Sequence, residues 1–150
     1  MIETQQTKSA LLLPPQLKDN GDFAGNTYVD TAGWGHLRVK FLVGTLDAAI
    51  GSTAEGTAPY VEECDTTGGT YTAVTGAALA DAIAATEDDK IFAIDIDLTK
   101  THKRYMQVNV PHAGDGTNGA NLCIEAVLSR PDGNGPANAA GQGLTELIVV

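Results

Sequence analysis

The chain has 150 residues, 43% of them hydrophobic, with 19 acidic against 9 basic side chains and a formal net charge of −10. This length supports one domain with a real core and is short for two, and the apolar content argues against wholesale disorder. The acidic balance, with no Lys/Arg stripe, excludes a phosphate-binding surface for nucleic acid, and no apolar run approaches the roughly 20 residues of a membrane helix.

In chain order, "MIETQQTKSALLLPPQLKDN" reads as an extended N-terminal arm over residues 1–20. Its two prolines forbid a helix and disfavour an interior strand. Leu11, Leu12, Leu13 and Leu17 are too apolar for a free tail, so they cover either this chain's own core or another subunit. The three-leucine patch is too short for a signal-peptide core, so folding in the cytoplasm is expected. The segment from residue 21 to 130 carries the signature of a β-sandwich. Leu37, Val39, Phe41 and Val43 alternate with His36, Arg38, Lys40 and, less cleanly, Leu42, the period of a strand with one buried face. "APYVEECD" and "TYTAV" read as a hairpin joined by "TTGG". "GAALADAIAATEDD" suits one short helix or an ordered loop, and it is the one helix candidate.

"KIFAIDIDL" and "RYMQVNV" alternate again and predict an antiparallel hairpin joined by "TKTHK". "PHAGDGTNGAN" is a glycine loop and "LCIEAVLS" a further strand. Residues 131–150 form a Gly/Asn-rich, irregular tail that ends in the apolar, strand-like "LTELIVV". Six to eight short strands predict an all-β, antiparallel two-sheet sandwich, since each sheet must bury its apolar face on another.

The chemistry-bearing residues favour plain readings. Asp95 and Asp97, about 7 Å apart on one strand face, could share a cation. The simpler reading is the wet face of the hairpin, where they meet Lys103 or Arg104. Asp115, Asn118 and Asn121 lack the spacing of a twelve-residue calcium loop. His36, His102 and His112 are too scattered for a zinc motif, and no nucleophile elbow or phosphate loop is present. Cys64 and Cys123, in a reducing compartment, read as buried free thiols rather than a disulfide. The chain is therefore read as a non-enzyme with no metal and no cofactor.

The two apolar ends carry more information. An apolar C-terminal strand can add to a neighbour's sheet edge, and a proline-bearing arm can lie along a groove. The plain alternative is that both ends close the chain's own sandwich.

The patches "VDTAGWGHLRVKFLVGTLDA", "VEECDTTGGTYTAVTGAAL", "IFAIDIDLTKTHKRYMQVNV" and "LCIEAVLSRP", spanning roughly residues 28 to 131, resemble small virion proteins of tailed bacteriophages. These are the β-sandwich, often jelly-roll, head decoration or cement proteins. The likeness lies in the turn from Gly44 to Asp47, the strand end Glu63, Cys64, Asp65, and the Ile96, Asp97, Leu98 run followed by Arg104 and Tyr105. Cys64 stands where Ser is expected. The resemblance implies a non-enzymatic homodimer or homotrimer on the outside of an icosahedral shell, contacting the major capsid protein. The expected contact residues are Leu11, Leu12, Leu13, Pro14, Pro15 and Leu17 in the arm, with Leu147, Ile148, Val149 and Val150 in the tail. Two rivals remain: a carbohydrate-binding adhesion module, for which Trp34 would be the exposed aromatic, and a tail or neck protein of the same fold.

Overall fold

A computed structural model describes residues 6–23, 27–51, 58–113, 116–133 and 140–145. Its elements are all strands: β1 (Thr7–Lys18), β2 (Val29–Asp30), β3 (Trp34–Leu46), β4 (Tyr60–Cys64), β5 (Thr72–Ala78), β6 (Ile91–Asp97), β7 (Tyr105–Asn109) and β8 (Ala120–Pro131). They form two antiparallel four-stranded sheets, ordered β1-β8-β3-β6 and β2-β7-β4-β5. Strands from early and late in the chain alternate across each sheet. That is the order of an eight-stranded jelly roll, which folds two Greek keys over one core.

The alternation read from the sequence is the packing. Leu37, Val39 and Phe41 of β3 and Leu122, Ile124 and Leu128 of β8 are buried. They join Val61, Met106 and Val108 of the second sheet in one apolar cluster. Strands with one face in the core and one in solvent alternate in this way because successive side chains point to opposite faces.

The N-terminal stretch is extended, as expected, and from Thr7 onward it is the edge strand β1 beside β8. Its register slips between Leu11 and Leu13 and again between Leu13 and Gln16, and each slip places one extra residue in β1. The first bulge lets consecutive Leu12 and Leu13 both reach the core, where neither is exposed. The second contains Pro14 and Pro15, whose missing N–H groups are tolerated at an edge and a bulge.

One sequence expectation resolves to the ordered loop it allowed, and another fails. The segment expected as a short helix or ordered loop contains no helix: β5 runs to Ala78, and the rest is an ordered loop. Ile83 exchanges both backbone hydrogen bonds with Ile50, at 2.9 Å each, and its side chain is buried. That pairing draws the backbone into an extended bridge. The Asp88 carboxylate then accepts the Leu46 N–H at 2.6 Å and fixes the loop to the end of β3.

The predicted hairpin of β6 and β7 is also absent. β6 pairs with β3 in one sheet, and β7 pairs with β2 and β4 in the other. Residues 98–104 cross between the sheets. Each strand has one apolar face, as read, but both faces point into the same core from opposite sides. The β4–β5 hairpin forms as expected, with a register shift between the Tyr60–Ala78 and Glu62–Ala73 pairs that leaves the extra residues in β5.

Candidate contact surface

The outer face of the β1-β8-β3-β6 sheet is divided into a polar end and an apolar end. Both follow from register, which brings outward residues of separate strands into rows.

At the polar end, Arg38 donates to both Asp95 carboxylate oxygens, at 2.8 and 3.0 Å. His36 Nε2 lies 3.1 Å from Asp95, and its Nδ1 lies 3.0 Å from the Ser129 hydroxyl. Lys40 and Glu125 pair at 2.8 Å one row on. Asp97 accepts from the Thr99 hydroxyl and N–H. The expected partners of Asp95 and Asp97 are thus replaced. Lys103 Nζ donates to the Thr72 hydroxyl, and Arg104 binds Asp30, because β7 lies in the other sheet. Asp95 is aligned with Arg38 and Asp97 with His36 across the β3–β6 ladder. The Ser129, His36, Asp95 row is a cross-strand ladder on an open sheet face, with Asp95 committed to Arg38.

These contacts predict the acid limb of stability. The Arg38 guanidinium holds the Asp95 carboxyl below its ordinary value of 3.8, Arg104 does the same for Asp30, and hydrogen bonds from Thr99 do so for Asp97. A depressed folded-state pKa stabilises the fold above the unfolded value and loses that contribution as pH falls through the folded one. Melting temperature is therefore expected to hold from neutral pH down to about 4 and to fall below it. Asp95→Asn should flatten that slope. An unchanged slope in this variant would remove Asp95 from the account. The pairs are half-exposed, so each effect is small.

At the apolar end, Leu42 of β3 faces Ile91 of β6 on one side and Cys123 of β8 on the other. Pro14 and Pro15 lie opposite Cys123 in the β1 bulge. Leu11 is 52%, Leu17 64% and Ile91 65% exposed, large values for apolar side chains on the two edge strands of one sheet. Two hollows open on this end. One, of about 400 Å³, is lined by Pro15, Leu17, Leu42, Gly44 and Cys123. The other, of about 260 Å³, is lined by Leu11, Leu42, Cys123 and Leu144. Burial, with a smaller push from Glu125, raises the Cys123 thiol pKa and keeps it protonated. Cys64 is buried in the other sheet, and both cysteines are free thiols.

The predicted contact residues therefore separate. Leu12 and Leu13 lie in this chain's own core, while Leu11, Pro14, Pro15 and Leu17 face outward. Leu147, Ile148, Val149 and Val150 lie outside the described residues. Leu42, Ile91 and Cys123 were not singled out from the sequence. The imperfect alternation at Leu42 was the signal, an apolar residue in the solvent phase of a strand.

The second sheet presents a different outer face. Tyr28, 45% exposed, meets Tyr105 edge to face at 5.4 Å, and Arg104 lies 5.1 Å from the Tyr105 ring centre. Nearby, Gln107 and Asn109 donate to the Glu62 carboxylate at 3.0 and 3.4 Å. The Tyr71 hydroxyl is buried and has no hydrogen-bond partner among the described residues. Trp34 is half-buried against the core and is not the exposed aromatic. His102 and the Lys103 N–H both bind Glu63 where the chain enters β7.

In the glycine loop, Asp115 lies outside the described residues, and the flanks are held by residues 19–22. Asp22 accepts the His112 N–H, Ala113 N–H donates to Gly21, and Gly116 N–H donates to Asp19. Among the described residues, no group of three or more His, Cys, Asp or Glu side chains is placed to hold a metal ion. No family model, no curated protein and no solved structure matches the chain.

Proposed function

We propose that this chain is a bacteriophage virion protein that decorates and cements the outside of the capsid, bridging adjacent major capsid subunits as a homodimer or homotrimer. The observation that carries the reading is the apolar end of the β1-β8-β3-β6 sheet. Leu11, Leu17, Leu42 and Ile91 lie outside the core of an otherwise acidic sandwich. Apolar groups gathered on one face mark a surface that another protein covers. The mechanism is mechanical. Apolar area buried across a seam between subunits, repeated over a symmetric shell, adds through multivalency and resists pressure from packed DNA. The acidic surface keeps such a part off the genome. The resemblance in sequence patches and the jelly-roll strand order point the same way, although the fold alone does not assign a function.

The test is co-sedimentation of the purified protein with empty, expanded heads of the source phage. Saturable pelleting at a fixed ratio to capsid protein is the expected result. Absence of binding to intact shells would sink the reading.

A second reading, a glycan-binding adhesion module, is favoured by the exposed Tyr28 beside Tyr105 and by the amide and carboxylate groups around Glu62. Aromatic faces with fixed polar groups suit sugar rings. A glycan-binding screen of the wild type and Tyr28→Ala separates the two readings: a sugar bound by the first and lost in the second would favour adhesion.

A further inference from the structure

The outermost strands of a sheet leave a row of backbone groups unpaired, and proteins blunt such edges with prolines, bulges, short strands or a covering segment. The edges here are β1 and β6 in one sheet and β2 and β5 in the other. β1 carries Pro14, Pro15 and two register shifts, and its Ser9 N–H and Leu12 carbonyl are taken by Gln142 and Thr27. β2 is two residues long. β5 is interrupted by Gly76 at φ +80° and by its register shift against β4. β6 is regular instead: it holds no proline or glycine and pairs with β3 over its whole length without a shift. At its two ends the Lys90 carbonyl accepts from Val43 and the Leu98 N–H donates to Gly35, so the even-numbered residues turn their backbone groups to β3. Ile91, Ala93 and Asp95 therefore turn N–H and C=O to the open side, where no backbone group of the described residues bonds them.

Two hollows border this edge on its core side. One, of about 520 Å³, is lined by Leu79, Asp81, Ala82, Glu87 and Phe92. The other, of about 200 Å³, lies between β5 and β6 and is lined by Val74, Ala77, Asp95, Ile96 and Asp97. Phe92 and Ile96 are four residues apart, about 13 Å along the strand, which is the spacing of alternate inward side chains on a strand laid beside β6. Strand addition draws affinity from backbone hydrogen bonds and selectivity from pockets for alternate side chains, and both are present here.

We propose that the open edge of β6 accepts an extended, basic segment of another protein, added antiparallel to β6 with apolar side chains in the two hollows. Charge selects the occupant. Asp95 and Asp97 project on the outer face of the edge, and Asp81 and Glu87 border the larger hollow. A second copy would bring the same acids and a further net charge of −10, whereas lysines or arginines opposite Asp95 and Asp97 are complementary. Acids on an edge thus oppose pairing with a like edge while leaving it open to a basic one.

The probe is the capped peptide TVKVKVTVT, whose valines fall on the inward side and whose lysines stand opposite Asp97 and Asp95. Its binding to the full chain is followed by residue-resolved amide hydrogen exchange. Saturation is expected to protect the Ala93 and Asp95 amides, which exchange freely without peptide. The acidic analogue TVEVEVTVT should bind about tenfold more weakly. Ala93→Pro removes an N–H that β3 does not use, and it should weaken binding of the basic peptide by more than about tenfold. If that variant fails to fold, the exchange map of the wild type decides. No binding at millimolar peptide, binding without protection at Ala93 and Asp95, or equal binding of the acidic analogue would overturn the proposal. Protection of the same amides that grows with protein concentration in the absence of peptide would also overturn it, and would assign the edge to a second copy. The inference concerns an edge of the free chain and does not rest on shell attachment, so failed pelleting leaves it standing, and a failed peptide test leaves the pelleting test open.

Discussion

Leu13→Ala is expected to destabilise the protein by about 2–5 kcal/mol, and Leu11→Ala by less than about 1 kcal/mol. The two leucines are separated by one residue in a run of three, and nothing in the local sequence ranks them. The difference comes from the bulge between them. Leu11 stands opposite Glu125 and is 52% exposed, whereas Leu13 stands opposite Ile124 and is fully buried. Removing Leu13 therefore leaves a cavity in the shared core, with the lost contacts of a leucine side chain and little room for the tightly paired β8 to collapse into it. For a domain of this size, the midpoint of thermal unfolding should fall by roughly 5–20 °C for Leu13→Ala and by a few degrees at most for Leu11→Ala. Leu12→Ala should group with Leu13→Ala. If all three melted together with the wild type, β1 would not be part of the core, and the N-terminal stretch would act as an arm reaching elsewhere.

How legible the fold was depends on how local its causes are. β3 and β8 could be read at once, because inward Leu37, Val39 and Phe41, and Leu122 and Ile124, sit at period two over long strands. The pairing of β6 was not legible. Ile94 and Ile96 fix its buried face, but whether that face joins Met106 and Val108 in the same sheet or across the core is a choice between distant partners. β6 lies beside β3, more than forty residues earlier, so the partners assigned to Asp95 and Asp97 changed with it. The alanine-rich loop failed as a helix for a related reason. The backbone of Ile83 is claimed by Ile50, a partner that no window of local sequence contains. Pro14 and Pro15 were read as disfavouring an interior strand, which agrees with their place on an edge. What local reasoning lacked was the bulge that accommodates them.

The candidate surface was half legible in the same sense. Leu11 and Leu17 announced themselves by being apolar beside prolines. Cys123 and Ile91 look unremarkable in their own strands, Leu42 stands out only by breaking the alternation of β3, and the three become a surface only when register aligns them. The exposed tyrosine was missed because Tyr28 gains its significance from Tyr105, which stands across the β2–β7 pairing.

Leu11→Asp combined with Leu17→Asp is expected to abolish co-sedimentation with empty shells while the protein stays folded. Both side chains are more than half exposed, so the substitutions leave the core intact and should change the melting temperature little. Covering what remains exposed of each leucine is worth about 1 kcal/mol, from the usual 1.5–3 kcal/mol for a whole side chain. A carboxylate in its place would have to be desolvated against apolar partners, which adds at least as much again. Together the two sites should cost about 3–4 kcal/mol per contact, a loss of several hundredfold in affinity, and a dimer or trimer multiplies that loss over its copies. Tyr28→Ala, on the opposite sheet, should pellet like the wild type under the cement reading. The two variants therefore report on opposite faces of one sandwich. Loss of pelleting only in the leucine variant places the shell against the β1-β8-β3-β6 sheet. Loss only in Tyr28→Ala would reverse the orientation, and the apolar end would then be free for a second copy.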